Sequence, residues 1–150
     1  MIEVAIAGAA GRMGRTLVEA VETSGASITV GAASVLADDP TVGADIGPLA
    51  LGRPLGVVAK PSLESQVDAF SVLIDFTSPE ATLGHLALCC RYGKAMVIGT
   101  TGFTPENLAA IDAAAQKIPI VMAPNFSVGV NLCLQLLRKA AEVLGEDRKS

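Results

Sequence analysis

Three glycines, each separated from the next by two residues and set between an apolar run and a helical pattern, constrain this chain more than anything else in it. Ile2, Val4, Ala5, Ile6 and Ala7 read as a buried strand. Gly8-Ala9-Ala10-Gly11-Arg12-Met13-Gly14 follows without a gap, and Arg15 to Val21 has helical spacing. A strand delivered straight into a helix needs backbone free of side-chain bulk at the turn. The same turn lets main-chain N–H groups approach a pyrophosphate, with the helix N-terminus behind them. With 15 glycines in 150 residues, such spacing arises easily by chance. Its place after the first strand is what favours a dinucleotide site over a plain structural turn.

The length allows one domain, or one domain with the start of a second. Hydrophobic residues make up 51% of the chain and charged residues 17%, a profile suited to parallel strands covered on both faces. A net charge of −4, no tryptophan and one tyrosine argue against a nucleic-acid partner. No apolar run approaches the roughly 18 residues of a membrane span, so no membrane partner is expected. The start runs directly into a strand with no basic leader, and Cys89, Cys90 and Cys133 do not form a disulfide pattern. Both features point to a reducing, cytoplasmic setting. One histidine and three cysteines without C-x-x-C spacing give no metal site.

The pattern predicts helix over about 11–23 with Gly25 as its stop, strand over 28–33, and loop over 34–56. A short strand at 57–59 and a helix start at 62–64 follow. Strand is expected over 71–76, 95–98 and 118–123. Ser78-Pro79-Glu80 and Thr104-Pro105-Glu106 each open a helix, with a hydroxyl cap, proline in the first turn and a carboxylate at the positive dipole end. These helices should run to about Tyr92, before Gly93, and to about Lys117. A last helix with an apolar face covers 130–144. Strands alternating with helices predict a doubly wound, mostly parallel α/β sheet of Rossmann type. Its ligands would lie beyond the carboxyl ends of the strands, where the loops 8–14, 99–102 and 123–127 fall.

Within those loops, Arg12 either adds a charge-assisted contact to phosphate or points to water, and Arg15 is the more solvated of the two. Gly99-Thr100-Thr101-Gly102 either meets a ribose or substrate carboxylate or is an ordinary turn. Asn125-Phe126 either presents backbone groups to a carboxamide or is hinge and core. Asp75 either orients a ligand hydroxyl or caps a turn. His85, mid-helix between apolar neighbours, reads as a packed or half-exposed residue far from the loop edge, and Cys89 and Cys90 as small core residues. The acidic residue expected about 20 positions beyond the glycines, to hold the adenosine ribose, is missing: Val35 and Leu36 stand there, and Asp38 and Asp39 come later. No arginine stands there either, which leaves NAD against NADP open. There is no G-x-S-x-G elbow for a serine hydrolase. Tyr92 is followed four places later by Met96, not by the lysine of a short-chain dehydrogenase.

Four blocks taken together go beyond a generic fold. They are Val4 to Arg15, Asp75-Phe76-Thr77-Ser78-Pro79-Glu80, Val97-Ile98-Gly99-Thr100-Thr101-Gly102-Phe103, and Ala123-Pro124-Asn125-Phe126-Ser127-Val128-Gly129-Val130-Asn131. In this order the chain resembles the bacterial 4-hydroxy-tetrahydrodipicolinate reductases, also called dihydrodipicolinate reductases, of lysine and diaminopimelate biosynthesis. The resemblance implies hydride transfer from NADH or NADPH to a cyclic dicarboxylate imine. It implies cofactor contacts at Gly8, Ala9, Ala10, Gly11, Arg12, Met13 and Gly14, at Gly99, Thr100 and Thr101, and at Ala123, Pro124, Asn125 and Phe126. Thr101 would also meet substrate. Two departures stand out: members often carry an acidic residue after the second strand, where this chain has Val35 and Leu36, and some carry a basic residue at Ser78. The family's His-His…Lys and Ser-Gly-Thr segments, which supply proton donation and carboxylate binding, do not occur in these 150 residues. The resemblance therefore implies a dinucleotide-binding domain over 1–127 and, over 128–150, a hinge and the first helix of a substrate domain. No catalytic residue is expected in the chain itself. A non-catalytic dinucleotide-binding or regulatory module is the alternative, and the last helix is expected either to fold back on the sheet or to pack against another copy.

Overall fold

The computed structural model describes residues 1–25 and 27–146. Six strands form one all-parallel sheet: β1 (Ile2–Ile6), β2 (Ile28–Ser34), β3 (Ala59–Lys60), β4 (Val72–Asp75), β5 (Ala95–Ile98) and β6 (Ile120–Met122), in the order β3-β2-β1-β4-β5-β6. The helices are α1 (Arg12–Thr23), α2 (Gly47–Leu51), α3 (Pro79–Tyr92), α4 (Pro105–Ala115) and α5 (Val128–Glu146), with a 3-10 turn at Glu64–Ala69. This is the Rossmann-like architecture that the alternating pattern predicts.

The strands alternate their side chains between two cores. Val4 and Ile6 face one with Val18, Val21, Val30 and Ile46; Ala5 and Ala7 face the other with Leu73, Leu86, Met96 and Ile111. The period-two geometry of a strand dictates this division, and burial on both faces explains why the strands read as unbroken apolar runs. One bulge interrupts the β1–β2 ladder. Val4 pairs with Val30 and Ala5 with Ala32, so Gly31 is the extra residue. A Cβ on Gly31 would lie 1.9 Å from the Ala69 carbonyl oxygen, and only glycine lets the 3-10 turn approach.

Several boundaries differ from the sequence expectation. The stretch 34–56 contains α2, and β3 lies at Ala59–Lys60, not at 57–59. Asp45 organises this stretch by accepting the N–H groups of Gly47, Leu55 and Gly56 through its carboxylate. β6 is shorter than 118–123, because Pro119 cannot join the ladder as a donor. α5 begins two residues earlier than expected. It does not fold back on the sheet: its described side chains, through residue 143, are all exposed. Residues 147–150, the end of the expected 128–150 segment, lie outside the described residues.

In a doubly wound sheet the strand order reverses between β1 and β4, and a crevice opens at their carboxyl ends. The Gly8 turn leaves β1 at this place, and Phe76 and Thr77 leave β4 beside it.

Candidate functional site

Gly8 takes the left-handed conformation at φ +64°, which costs any residue with a Cβ about 1–2 kcal/mol. The Gly11 N–H donates to the Gly8 carbonyl, and the Arg15 N–H to that of Gly11, so the turn winds directly into α1. Gly14 is the tightest point: a Cβ there would lie 2.2 Å from the Gly8 carbonyl oxygen and 2.6 Å from the Ala9 Cα. Helix and turn can touch this closely only without a side chain at residue 14.

Among the helices of eleven residues or more, α1 alone begins without help. Ser78 caps α3, Thr104 and Asn107 form a reciprocal box on α4, and Ser127 accepts the Val130 N–H in the first turn of α5. The N-cap of α1 is Gly11, no side chain caps its first N–H groups, and no acidic residue stands there. Its unpaired N–H groups and positive dipole end face a cavity lined by Gly8, Gly11, Arg12, Met13, Gly14, Thr16 and Phe76. Arg12 and Met13 are exposed at its rim. Arg15 is exposed too, and its Nε donates to the Ala10 carbonyl at 2.8 Å, bracing the turn from outside.

A second cavity, of about 530 Å³, lies on the β2 side of the same turn. Ser34, Val35, Leu36, Ala37 and Asp39 form one wall, and Phe76, Thr77, Ala81 and His85 the other. Asp39 therefore reaches the position that Val35 and Leu36 leave without a carboxylate. Its Oδ1 accepts the N–H and hydroxyl of Thr41, and these bonds hold its pKa below the ordinary value.

Beneath this cavity lies a buried polar network. Asp75 is fully buried. Its Oδ1 accepts the N–H and hydroxyl of Thr77 at 2.9 and 2.6 Å, and its Oδ2 meets His85 Nδ1 at 2.7 Å. Burial works to raise its pKa, but the hydrogen bonds from His85 and Thr77 and the charge of His85 outweigh it, leaving the carboxyl below its ordinary value. The Thr100 hydroxyl accepts from the Thr77 N–H and from Thr82 Oγ1, and reaches Asp75 at 3.5 Å. Asp75 is thus a turn anchor that joins β4, α3 and the loop after β5. The expectation that His85 lies far from the loop edge is incorrect. About two turns of α3 bring it beneath the cavity, where its partner stands ten residues earlier at the end of β4. Cys89, one turn further along, is fully buried, and burial pushes its thiol up to about 12, so it stays an unreactive core residue.

The structure separates the paired threonines. Thr100 is buried in the network and Thr101 is exposed, while both line a small cavity with Gly102, Phe103, Leu108, Met122 and Pro124. Gly99 stands where a Cβ would enter the Phe76 ring. Phe126 lies with its ring centre 5.7 Å from that of Phe76. Phe76 is therefore the common neighbour of the three loops. Asn125 is tied into its own turn: its Oδ1 accepts the Ser127 N–H, and its carbonyl accepts from Asn131 Nδ2. Ala123 donates its N–H to the Ile98 carbonyl, continuing the sheet edge past β6. Among the described residues no three of His, Cys, Asp or Glu come together as a metal site. No helix of the described residues is long and apolar enough to cross a membrane.

Comparison with known proteins agrees with this geometry. The family model described as dihydrodipicolinate reductase, N-terminus, matches residues 2–126. The dipicolinate-bound dihydrodipicolinate reductase from Paenisporosarcina sp. TG-14 superposes with a TM-score of 0.74 at 30% identity, covering 94% of this chain and 54% of that one. Two more distant dehydrogenases share the fold. Apo scyllo-inositol dehydrogenase from Lactobacillus casei has a TM-score of 0.67 at 14% identity, covering 93% of this chain and 41% of its own. The WlbA dehydrogenase from Thermus thermophilus, solved with NAD and alpha-ketoglutarate, has a TM-score of 0.56 at 15% identity, covering 82% and 41%. The chain thus spans about half the length of the reductase it matches and less of the others.

Proposed function

The chain belongs to the dihydrodipicolinate reductase family as its N-terminal dinucleotide-binding part, and from that premise we propose that residues 8–14 seat the pyrophosphate of a reduced nicotinamide dinucleotide. One observation carries the proposal. α1 packs onto the turn so closely that a Cβ at Gly14 would strike the Gly8 carbonyl, and the helix behind it is the long helix left without a cap or an acid. An anion completes that N-terminus as Ser78 and Thr104 complete theirs. Gly8, Ala9, Ala10, Gly11, Met13 and Gly14 would supply close backbone, and Arg12 a charge at the rim.

When bound, the reduced nicotinamide supplies a hydride for reducing a cyclic dicarboxylate imine, 4-hydroxy-tetrahydrodipicolinate. The chain's own groups position it. Gly99, Thr100 and Thr101 with Ala123, Pro124, Asn125 and Phe126 form the far side of the crevice, where Thr101 is the exposed hydroxyl for a substrate carboxylate. Residues 1–127 make the binding domain, and 128–150 the hinge and first helix of a substrate domain. The 150-residue chain is proposed to bind without turning over. No titratable side chain lines the Thr101 cavity, and the sole histidine is engaged by Asp75 beneath the other cavity.

On the β2 side, Asp39 favours NADH over NADPH. Its carboxylate suits ribose hydroxyls, and no lysine or arginine lines that cavity to receive a 2′-phosphate. Isothermal titration with NADH and NADPH, run beside a reductase assay on the same sample, tests the reading. The expected result is binding of NADH, weaker binding of NADPH, loss of both in Gly14→Ala, and no turnover. Asp39→Asn should narrow the gap between the two cofactors. Absence of binding by either cofactor refutes the pyrophosphate assignment, and turnover refutes the statement about activity.

A further inference from the structure

Behind the loop that follows β5 runs a hydrogen-bond chain whose far end no ligand can reach. Thr82, on α3, is fully buried, so it meets neither solvent nor anything bound in the crevice. Its Oγ1 donates to Thr100 Oγ1 at 2.9 Å. The Thr100 hydroxyl also accepts the Thr77 N–H at 3.0 Å, and its own hydrogen is left for Asp75 Oδ1 at 3.5 Å. The hydrogens therefore run one way, from Thr82 to Thr100 to Asp75, and end on a carboxylate that only accepts. A lone threonine hydroxyl turns to suit its surroundings. Here both hydroxyls are fixed by the order of the chain.

The loop depends on that order. At its start the Gly99 N–H donates to the Asp75 carbonyl at 2.8 Å, and at its end Thr104 and Asn107 close the capping box of α4. Between these anchors, among the described residues, the Thr100 hydroxyl is the group that hydrogen-bonds the loop to the rest of the fold. Gly99 and Gly102 flank the two threonines and add little stiffness of their own. We propose that Thr82 is a positioning residue for the nicotinamide end of the dinucleotide: its hydroxyl holds Thr100, and through Thr100 it fixes where Thr101 and the loop backbone face the crevice. The proposal rests on the dinucleotide reading above and gives a part in it to a side chain that the crevice does not contain. A binding group keeps its worth only while its supports hold it in place. Valine at residue 82 keeps the shape of the side chain but withdraws the donor, which frees the Thr100 hydroxyl to turn.

The test titrates NADH and ADP-ribose, which keeps the adenosine, both phosphates and the second ribose but lacks the nicotinamide. The ratio of the two affinities reads the nicotinamide end alone. The unmodified chain should hold NADH about tenfold more tightly, the scale of one net hydrogen bond. Thr82→Val should reduce that advantage to about twofold and leave ADP-ribose affinity unchanged, whereas Thr82→Ser, which retains the hydroxyl, should keep the advantage. A merely structural role for Thr82 would lower both affinities together, so an unchanged ratio in Thr82→Val overturns the proposal. Loss of the advantage in Thr82→Ser as well assigns the effect to packing and overturns it too. An unmodified chain that binds ADP-ribose as tightly as NADH overturns it and leaves the pyrophosphate reading standing. Failure of both ligands to bind overturns both readings. A second measurement needs no variant: backbone ¹⁵N order parameters at Thr101 and Gly102 should lie near about 0.85, the value of rigid backbone, and values below about 0.6 would show a loop that nothing holds and refute the role.

Discussion

Glycines of one residue type have opposite roles here, and the structure sorts them by what a methyl group would meet. At Gly14 it would strike the backbone of Gly8 and Ala9, which cannot move without unwinding the turn. Gly14→Ala should cost about 2–3 kcal/mol, the upper range for overpacking a tight contact. Gly84 lies within α3 with nothing near its would-be Cβ. Gly84→Ala should therefore stabilise by about 0.5–1 kcal/mol, the helix preference for alanine. Urea unfolding of the two variants reads both, and equal signs would contradict the geometry. Asp75 predicts an acid limb. Its carboxyl titrates below the ordinary 3.8 when folded, so its stabilisation is complete above that value and is lost as pH falls through the lower folded value. Unfolding free energy should drop below about pH 4, and Asp75→Asn should flatten that drop. An unchanged slope in the variant would show that Asp75 contributes nothing to it. A turn role for Asp75 was one of the two readings the sequence left open, but its pairing with His85 was not legible there. Periodicity marks His85 as one residue of an apolar helix, while the contact that defines it spans two elements. Gly8, Gly11 and Gly14 were legible because everything they do is local in sequence.

Elements carrying their own start signals were legible to within a residue or two, and α3 and α4 show why. Ser78-Pro79-Glu80 and Thr104-Pro105-Glu106 write cap, fixed φ and dipole partner into three consecutive positions. The two caps differ in strength. Thr104 and Asn107 exchange bonds in both directions, at 3.1 and 3.3 Å, whereas Ser78 accepts a single N–H at 3.4 Å. Thr104→Ala should cost about 1–1.5 kcal/mol and Ser78→Ala about 0.5 kcal/mol, within the usual range for caps. Thermal unfolding that ranks them the other way would refute this reading. The stretch 34–56 carries no such signals. α2 has five residues, too few to show a period, and β3 has two. What holds them is the Asp45 carboxylate, whose partners at 47, 55 and 56 become neighbours only once the chain has turned. The three loops were placed at the carboxyl edge correctly because β-α alternation sends every strand-to-helix loop there. The division of labour between Thr100 and Thr101 was not, since adjacent identical residues differ only in which one the network behind the loop captures.

Across the whole molecule, both sheet faces are covered without any contribution from α5. α1 and α2 close one core, α3 and α4 the other. α5 runs 19 residues with Val128, Leu132, Leu134, Leu136 and Leu137 open to water, Val128 at 84% and Leu137 at 65% exposure. A helix of this length gains little from its backbone alone and takes most of its stability from packing an apolar face. Each large aliphatic side chain withdrawn from water contributes about 1.5–3 kcal/mol. Such a face on an otherwise finished domain marks a surface built to be covered. The chain by itself should therefore associate through α5, with a light-scattering mass that rises with protein concentration. Leu136→Glu combined with Leu137→Glu should hold it at the monomer mass. It should also leave the thermal unfolding of the sheet domain unchanged, because neither leucine touches either core. A mass that stays monomeric in the unmodified chain would mean the face is not adhesive. A mass that still rises in the double variant would move the contact elsewhere, most directly to the exposed β6 edge at Val121 and Met122.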